Sequence, residues 1–182
     1  MKGLLFTEFL AFVNDRWGGD MVDRIARFEQ RPPGGAYDPV ARYDPAQLLR
    51  LVATLGAHTG ATDGAVLGTF GAHLFARFAT LYPVFFVGVD SASTFLSRLE
   101  THVHDAIRTV HPDAELPVLE VRTSEAGRID IFYASPRPLA DLAEGLIRGC
   151  VERFAEPLVL ERSDDPAAPG RAVRFTLRRP VG

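Results

Sequence analysis

Residues 116–134 read LPVLEVRTSEAGRIDIFYA, and this stretch decides the fold class. It contains two largely apolar runs, residues 116–122 and 128–134, whose composition and length are strand-like. Between them lies the polar segment 124–127, which ends in glycine. Two such runs joined by a short glycine-containing segment are typical of a β-hairpin, so we predict two antiparallel strands here.

The rest of the second half continues in the same way. Residues 139–154 carry helical periodicity, and two further strand-like runs follow at 158–162 and 172–178, on either side of the turn 164–170. The order strand, strand, helix, strand, strand predicts an antiparallel sheet with a helix packed on it.

The first half of the chain is helical. Apolar residues recur at spacings of three and four in five segments, which begin near Leu4, Met21, Pro45, Thr62 and Ser91. Asp44 followed by Pro45 is a typical helix start, and residues 31–43 are predicted to form a loop. Helices followed by strands predict a single α+β domain, with a helical part at about 1–112 and a sheet-containing part at about 113–182.

Composition narrows the classes of protein. The chain has 182 residues, of which 47% are hydrophobic, enough for one hydrophobic core. A net charge of −3 argues against nucleic acid as a partner, because phosphate binding needs a concentrated basic surface. No membrane span or signal peptide is evident, so we expect a cytoplasmic protein. The single Cys150 excludes an internal disulfide and a cysteine-based zinc site. We expect it to be a core residue, with a redox-sensing thiol as the alternative.

Two of the five histidines, His102 and His104, lie in the predicted helix 91–110. They are two residues apart, so they point to different sides of the helix and do not easily chelate one metal together. The phase of the apolar stripe weakly favours His102 as the residue nearer its centre. An ordinary surface or packed histidine is the alternative for each. Signatures of common enzymes, such as G-x-S-x-G, a P-loop or H-E-x-x-H, do not occur.

Tyr133, Ser135 and Arg137 follow the apolar run 129–132. In an extended segment alternate side chains share a face, so these three are predicted to point the same way. Two hydroxyls and a guanidinium are donors that match carboxylates, and arginine can donate two parallel hydrogen bonds to one. The alternative is a strand end with an ordinary polar face.

Four motifs together resemble those of one family. The chain opens MKGLLF at 1–6, has FGAHLF at 70–75, and places His104 thirteen residues before Pro117. With the Y-x-S-x-R motif at 133–137, these features resemble the haem nitric oxide/oxygen-binding (H-NOX) family, which is related to the sensor domain of soluble guanylate cyclase. The resemblance covers essentially the whole chain. It implies an α+β fold with haem buried between the helical part and the sheet-containing part.

The resemblance also implies the residues that hold the cofactor. His104 falls on the proximal iron ligand of the family, and this takes precedence over the preference for His102 from helical phase. The three donors of Y-x-S-x-R fall on the triplet that binds the haem propionates. Pro117 falls on the proline that presses the porphyrin out of plane, and Leu5 on an aliphatic residue that packs against it. The implied cofactor is haem b with one protein ligand, which leaves a coordination position open for a gas.

The residues on the distal side decide which gas is bound. In O2-binding members a distal tyrosine, helped by a tryptophan and an asparagine, donates a hydrogen bond to O2. The corresponding positions here are Leu142, Phe9 and Leu74, while Phe78 and Leu146 extend the apolar lining. Because all three donors are absent, the resemblance implies a sensor that binds nitric oxide, and also CO, without a stable O2 complex.

We therefore expect a gas sensor and not an enzyme. Because the sequence ends at Gly182 without an output domain, we expect it to signal to a separate protein, which the resemblance implies is a histidine kinase or a cyclic-di-GMP enzyme. One alternative is an O2 sensor in which Tyr37 or Tyr43 reaches the haem. A haem enzyme or redox sensor is a second, although the candidate distal positions offer no acid or base. A haem-free scaffold is a third.

Overall fold

The computed structural model of the chain describes residues 1–27, 36–124 and 127–180. The chain divides into two compact units, Met1–Phe70 and Gly71–Gly182. The boundary lies inside a helix, whereas the change from helices to strands comes after residue 110. The α+β class and the antiparallel sheet predicted from the sequence are confirmed.

The first unit is built from helices. They are α1 (Leu4–Trp17), α2 (Gly19–Ala26), α3 (Pro45–Thr59) and the beginning of α4 (Asp63–Leu81). The predicted start of α3 is confirmed, because the Asp44 side chain accepts a hydrogen bond from the Ala46 amide at 3.0 Å. Phenylalanine rings fill much of the core, and the rings of Phe9 and Phe70 meet edge to face with centroids 5.1 Å apart.

The N-terminus is anchored within this unit. The amino group of Met1 donates to the Tyr43 carbonyl oxygen at 2.9 Å, and Lys2 forms an isolated antiparallel bridge with Arg42. The rings of Tyr37 and Tyr43 both contact Phe6, with centroid distances of 4.7 and 5.5 Å. Residues 28–35, which include much of the predicted loop, lie outside the described part of the chain.

The second unit combines short helices with the sheet. After the end of α4 come a 3₁₀-helix (Pro83–Phe86), α5 (Ala92–Ser97), a π-helix (Leu99–His104), α6 (Asp105–Val110) and, after the first hairpin, α7 (Ala140–Arg153). The strands are β1 (Val118–Thr123), β2 (Ile129–Ala134), β3 (Val159–Asp164) and β4 (Ala172–Arg178). All neighbours pair antiparallel in the order β1-β2-β4-β3. Two residues of the first predicted turn, 125 and 126, lie outside the described residues.

One face of the sheet packs against α7. Ile131 of β2 stands opposite Phe175 of β4, and both side chains are buried in a cluster that includes Ile147 and Cys150 of α7. The two central strands therefore carry the core, while β1 and β3 lie at the edges and are more exposed. Within the described residues, no helix has both the length and the apolarity that crossing a membrane requires.

Candidate functional site

The helix predicted at 91–110 is interrupted by a π-helix. Its start is as predicted, since Ser91 accepts a hydrogen bond from the Thr94 amide at 3.1 Å, but residues 99–104 take the wider π turn. A π segment places about one extra residue in a turn, which rotates everything after it by about 100° relative to a continuous α-helix. Short π segments of this kind are frequent at functional sites.

The two histidines of this helix have different environments. His104 is 8% exposed, whereas His102 is exposed and its Nδ1 lies 3.0 Å from the hydroxyl of Thr101. The preference for His102 from helical phase is therefore wrong, because it assumed a continuous α-helix. Seven residues after the buried Leu96, a continuous helix would bury Val103. The π-helix instead turns His104 to the buried side of the helix.

Charged side chains hold His104 from one side. Its Nδ1 lies 2.9 Å from Oε2 of Glu100, and the other oxygen, Oε1, accepts from Arg108 at 2.7 Å. Arg108 also donates to Asp105 at 3.0 Å. Burial lowers the pKa of His104 below the ordinary histidine value, against the opposing effect of Glu100. The histidine is therefore neutral at pH 7, and its Nε2 makes no hydrogen bond to the part of the chain that the structure describes.

The predicted carboxylate-binding triplet begins in β2 and ends in a turn. Tyr133 is buried in the strand. Burial raises the pKa of Tyr133, so the phenol keeps its proton. The strand ends at Ala134, and the Ser135 hydroxyl accepts from the Arg137 amide at 3.1 Å. The strand ends before Arg137, so the alternation expected of a strand does not extend to this residue.

Arg137 is ion-paired with Glu115, which belongs to none of the sequence motifs. Its guanidinium donates to the carboxylate of Glu115 and, at 3.1 Å, to the carbonyl oxygen of the same residue. The Arg137 side chain is 14% exposed and that of Glu115 is 52% exposed. Arg137 is thus held at a partly buried position, where both of its terminal guanidinium nitrogens already donate to Glu115.

Four of the predicted distal residues lie on α4 and α7 and are apolar. Leu74 and Leu142 are buried, and Phe78 and Leu146 are half-buried. The two helices touch at Gly71, where an added Cβ would contact the Leu142 carbonyl oxygen and lie 2.8 Å from the Gly145 Cα. Glycine at these positions allows the two helices to approach this closely.

The other predicted site residues lie in different elements. Pro117 is half-buried directly before β1, in the second unit. Leu5 is half-buried and Phe9 buried, both on α1 of the first unit. Cys150, on α7, is fully buried, and burial raises the pKa of its thiol to about 12. No cluster of three or more histidine, cysteine, aspartate or glutamate side chains that could hold a metal occurs in residues 1–27, 36–124 and 127–180.

Two polar residues next to the predicted site were missed, Glu100 and Glu115. Glu100 stands four residues before His104, a spacing at which helical side chains meet, so this neighbour had a sequence signal. Glu115 is 22 residues from Arg137 in sequence, and only the fold brings the two together.

Similarity to known proteins points to one family. The family model described as Haem-NO-binding matches residues 2–162. The crystal structure of the Fe(II) unliganded H-NOX protein from K. algicida is 28% identical and has a TM-score of 0.88, covering 100% of this chain and 98% of that chain. No curated protein matches the chain.

Two further solved structures resemble this chain. The IWP-051-bound H-NOX from Shewanella woodyi, solved in the Fe(II)CO ligation state, is 27% identical with a TM-score of 0.83. It covers 99% of this chain and 95% of that chain. An H-NOX protein from S. oneidensis in the Fe(II)NO ligation state has a TM-score of 0.89 at 18% identity, over 98% of each chain, and this similarity concerns the fold alone.

Proposed function

Because this chain belongs to the haem-NO-binding (H-NOX) family of haem-based gas sensors, we propose that it binds haem b through His104 and senses nitric oxide. The observation that carries the proposal is the state of His104. It is buried and neutral, and its Nδ1 is occupied by Glu100, so Nε2 is left as the ligating atom. A neutral imidazole is the form that binds a metal.

Three further side chains could donate hydrogen bonds to the propionate carboxylates of haem. Tyr133 and Ser135 supply two hydroxyls, and Arg137 supplies a guanidinium at a partly buried position. Charge-assisted hydrogen bonds from an arginine are stronger than neutral ones, and the ion pair of Arg137 with Glu115 supports the proposal that this guanidinium binds a carboxylate. We propose that Tyr133, Ser135 and Arg137 would hold the propionates when haem is bound.

Haem, when bound, supplies a ferrous iron whose open coordination position takes a diatomic gas. The contribution of the chain on that side is an apolar environment. Leu74, Leu142 and Leu146 have no hydrogen-bond donor in their side chains. O2 needs a donor to be held stably, whereas nitric oxide and CO do not. We propose selectivity for nitric oxide, with CO as a further ligand, over O2.

The same residues disfavour an enzyme. Catalysis of redox or hydrolytic chemistry calls for a positioned acid or base, and the side chains proposed for the distal side have none. We propose that the protein acts by binding alone and passes its signal to a separate protein, a histidine kinase or a cyclic-di-GMP enzyme.

The absorption spectrum of the purified ferrous protein tests this function. We expect a Soret band that shifts on addition of nitric oxide or CO and remains that of the unliganded ferrous protein when it is rapidly mixed with O2. Absence of any Soret band from protein expressed with sufficient haem would contradict haem binding. A stable spectral change with O2 would contradict the proposed selectivity.

A further inference from the structure

Glu100 is placed to control His104 from the side away from Nε2. Its Oε2 lies 2.9 Å from the histidine Nδ1, and its side chain is 31% exposed while that of His104 is 10% exposed. A carboxylate can only accept hydrogen bonds, so this contact requires the imidazole proton to be on Nδ1. Both residues belong to the π-helix, with Glu100 near its start and His104 as its last residue.

Arg108 holds the other end of the same carboxylate. It donates to Oε1 of Glu100 at 2.7 Å and to Asp105 at 3.0 Å. The Glu100 side chain is therefore fixed by a cation on one oxygen and directed at His104 with the other. A long, partly exposed side chain without such a clamp would sample several rotamers and lose entropy on contacting the histidine.

We infer that Glu100 is a positioning residue for the proposed iron ligand. It fixes the tautomer of His104, orients the imidazole ring and makes Nε2 a stronger electron-pair donor to the iron. Arg108 holds the Glu100 carboxylate in place for this role. The inference rests on the proposed function. Its physical basis is general, because a carboxylate on the second nitrogen of a metal-binding histidine fixes ring orientation and raises basicity. A stronger donor holds iron more tightly, which raises the frequency of the iron–histidine stretching vibration.

Resonance Raman spectra of the ferrous haem protein measure that vibration directly. We expect the frequency to decrease from wild type to Glu100→Gln, which retains an acceptor without the charge, and further to Glu100→Ala, which has neither. Arg108→Gln loosens the carboxylate without removing it and should cause a smaller decrease than Glu100→Ala. Haem dissociation from Glu100→Ala should be about 10- to 100-fold faster than from wild type, the usual effect of losing such a partner.

Asp105→Asn is the matched control. Asp105 lies next to His104 and accepts a hydrogen bond from the same arginine, but of these two carboxylates it is Glu100 that contacts the imidazole nitrogen. The variant removes one negative charge from the same helix and keeps an acceptor for Arg108, so the frequency should remain at the wild-type value. A change equal to that of Glu100→Gln would assign the effect to net charge and overturn the inference.

The results also separate the inference from the function on which it rests. If wild type gives an iron–histidine band and both Glu100 variants leave its frequency and the haem dissociation rate unchanged, the role of Glu100 is refuted and haem binding stands. If wild type gives no such band, the proposed function fails and this inference fails with it.

Discussion

Around His104 the side chains are linked by charged hydrogen bonds through Glu100 and Arg108, whereas Leu74 and Leu142, on α4 and α7, present only carbon atoms. Both regions belong to the second unit. The polar network fixes the direction and protonation of one nitrogen, because hydrogen bonds are directional. Apolar packing has no such directionality, and its contribution is that it offers no hydrogen-bond donor to a ligand. In the proposed function, the polar contacts hold the cofactor, and the absence of hydrogen-bond donors on the apolar side selects its ligand.

The largest effect should come from removing the histidine of the polar region. We expect His104→Gly to lose haem during purification, or to retain it only with added imidazole, because no other side chain is proposed to ligate the iron. The haem-to-protein ratio and the Soret band measure this. His102→Ala is the matched control, since His102 is exposed, and it should leave both unchanged. The opposite pattern would restore the assignment from helical phase.

The apolar region should be chemically inert, and Cys150 on α7 tests this. With the pKa of its thiol raised from 9.0 to about 12, about a thousandth of the usual thiolate is present at a given pH. We expect a thiol reagent at pH 8 to label the native protein at least about a thousandfold more slowly than the urea-unfolded chain. Rapid labelling of the native protein would instead support the redox-sensing alternative.

A variant of Arg137 tests whether Tyr133, Ser135 and Arg137 bind the haem carboxylates. Arg137→Ala leaves its partners without a donor at a partly buried position, a cost of about 2–4 kcal/mol. This corresponds to haem dissociation faster by roughly 30-fold to several hundredfold. Tyr133→Phe removes one neutral hydroxyl and should have a smaller effect. Glu115→Gln is the control for the existing ion pair and should not accelerate dissociation. Equal dissociation rates for wild type, Arg137→Ala and Tyr133→Phe would rule out the assigned role.

Adding a donor to the apolar region should have the smallest effect. Leu142→Tyr introduces a phenol, and a hydrogen bond to a charged acceptor contributes roughly 1.5–3 kcal/mol, or about ten- to a hundredfold in O2 affinity. Leu142 is buried, so overpacking offsets part of this gain. Stopped-flow mixing with O2 should therefore give a partial or slowly reversing spectral change. Leu142→Phe, with the ring but no hydroxyl, should give none.

Much of the fold follows from local sequence. Asp44 and Pro45 begin α3 as predicted, because a side-chain cap and a proline at the first helical position act within one turn. β2 and β4 lie within one residue of their predicted limits, since patterns of apolar and β-branched residues are read along a single strand. The apolar identity of Leu74 and Leu142 is likewise visible in the sequence alone.

Tertiary structure decided the features that depend on more than one segment. Periodicity assumes a uniform helix, so the π-helix before His104 was invisible to it, and the phase argument placed the wrong histidine nearer the core. The sequence resemblance indicates His104, because a motif preserves spacing without requiring the helix to be regular, and the role of His104 as iron ligand stays a prediction. Neither periodicity nor the motifs predict the partner of Arg137. Glu115 precedes β1 and Arg137 follows β2, so the two meet only when these strands pair.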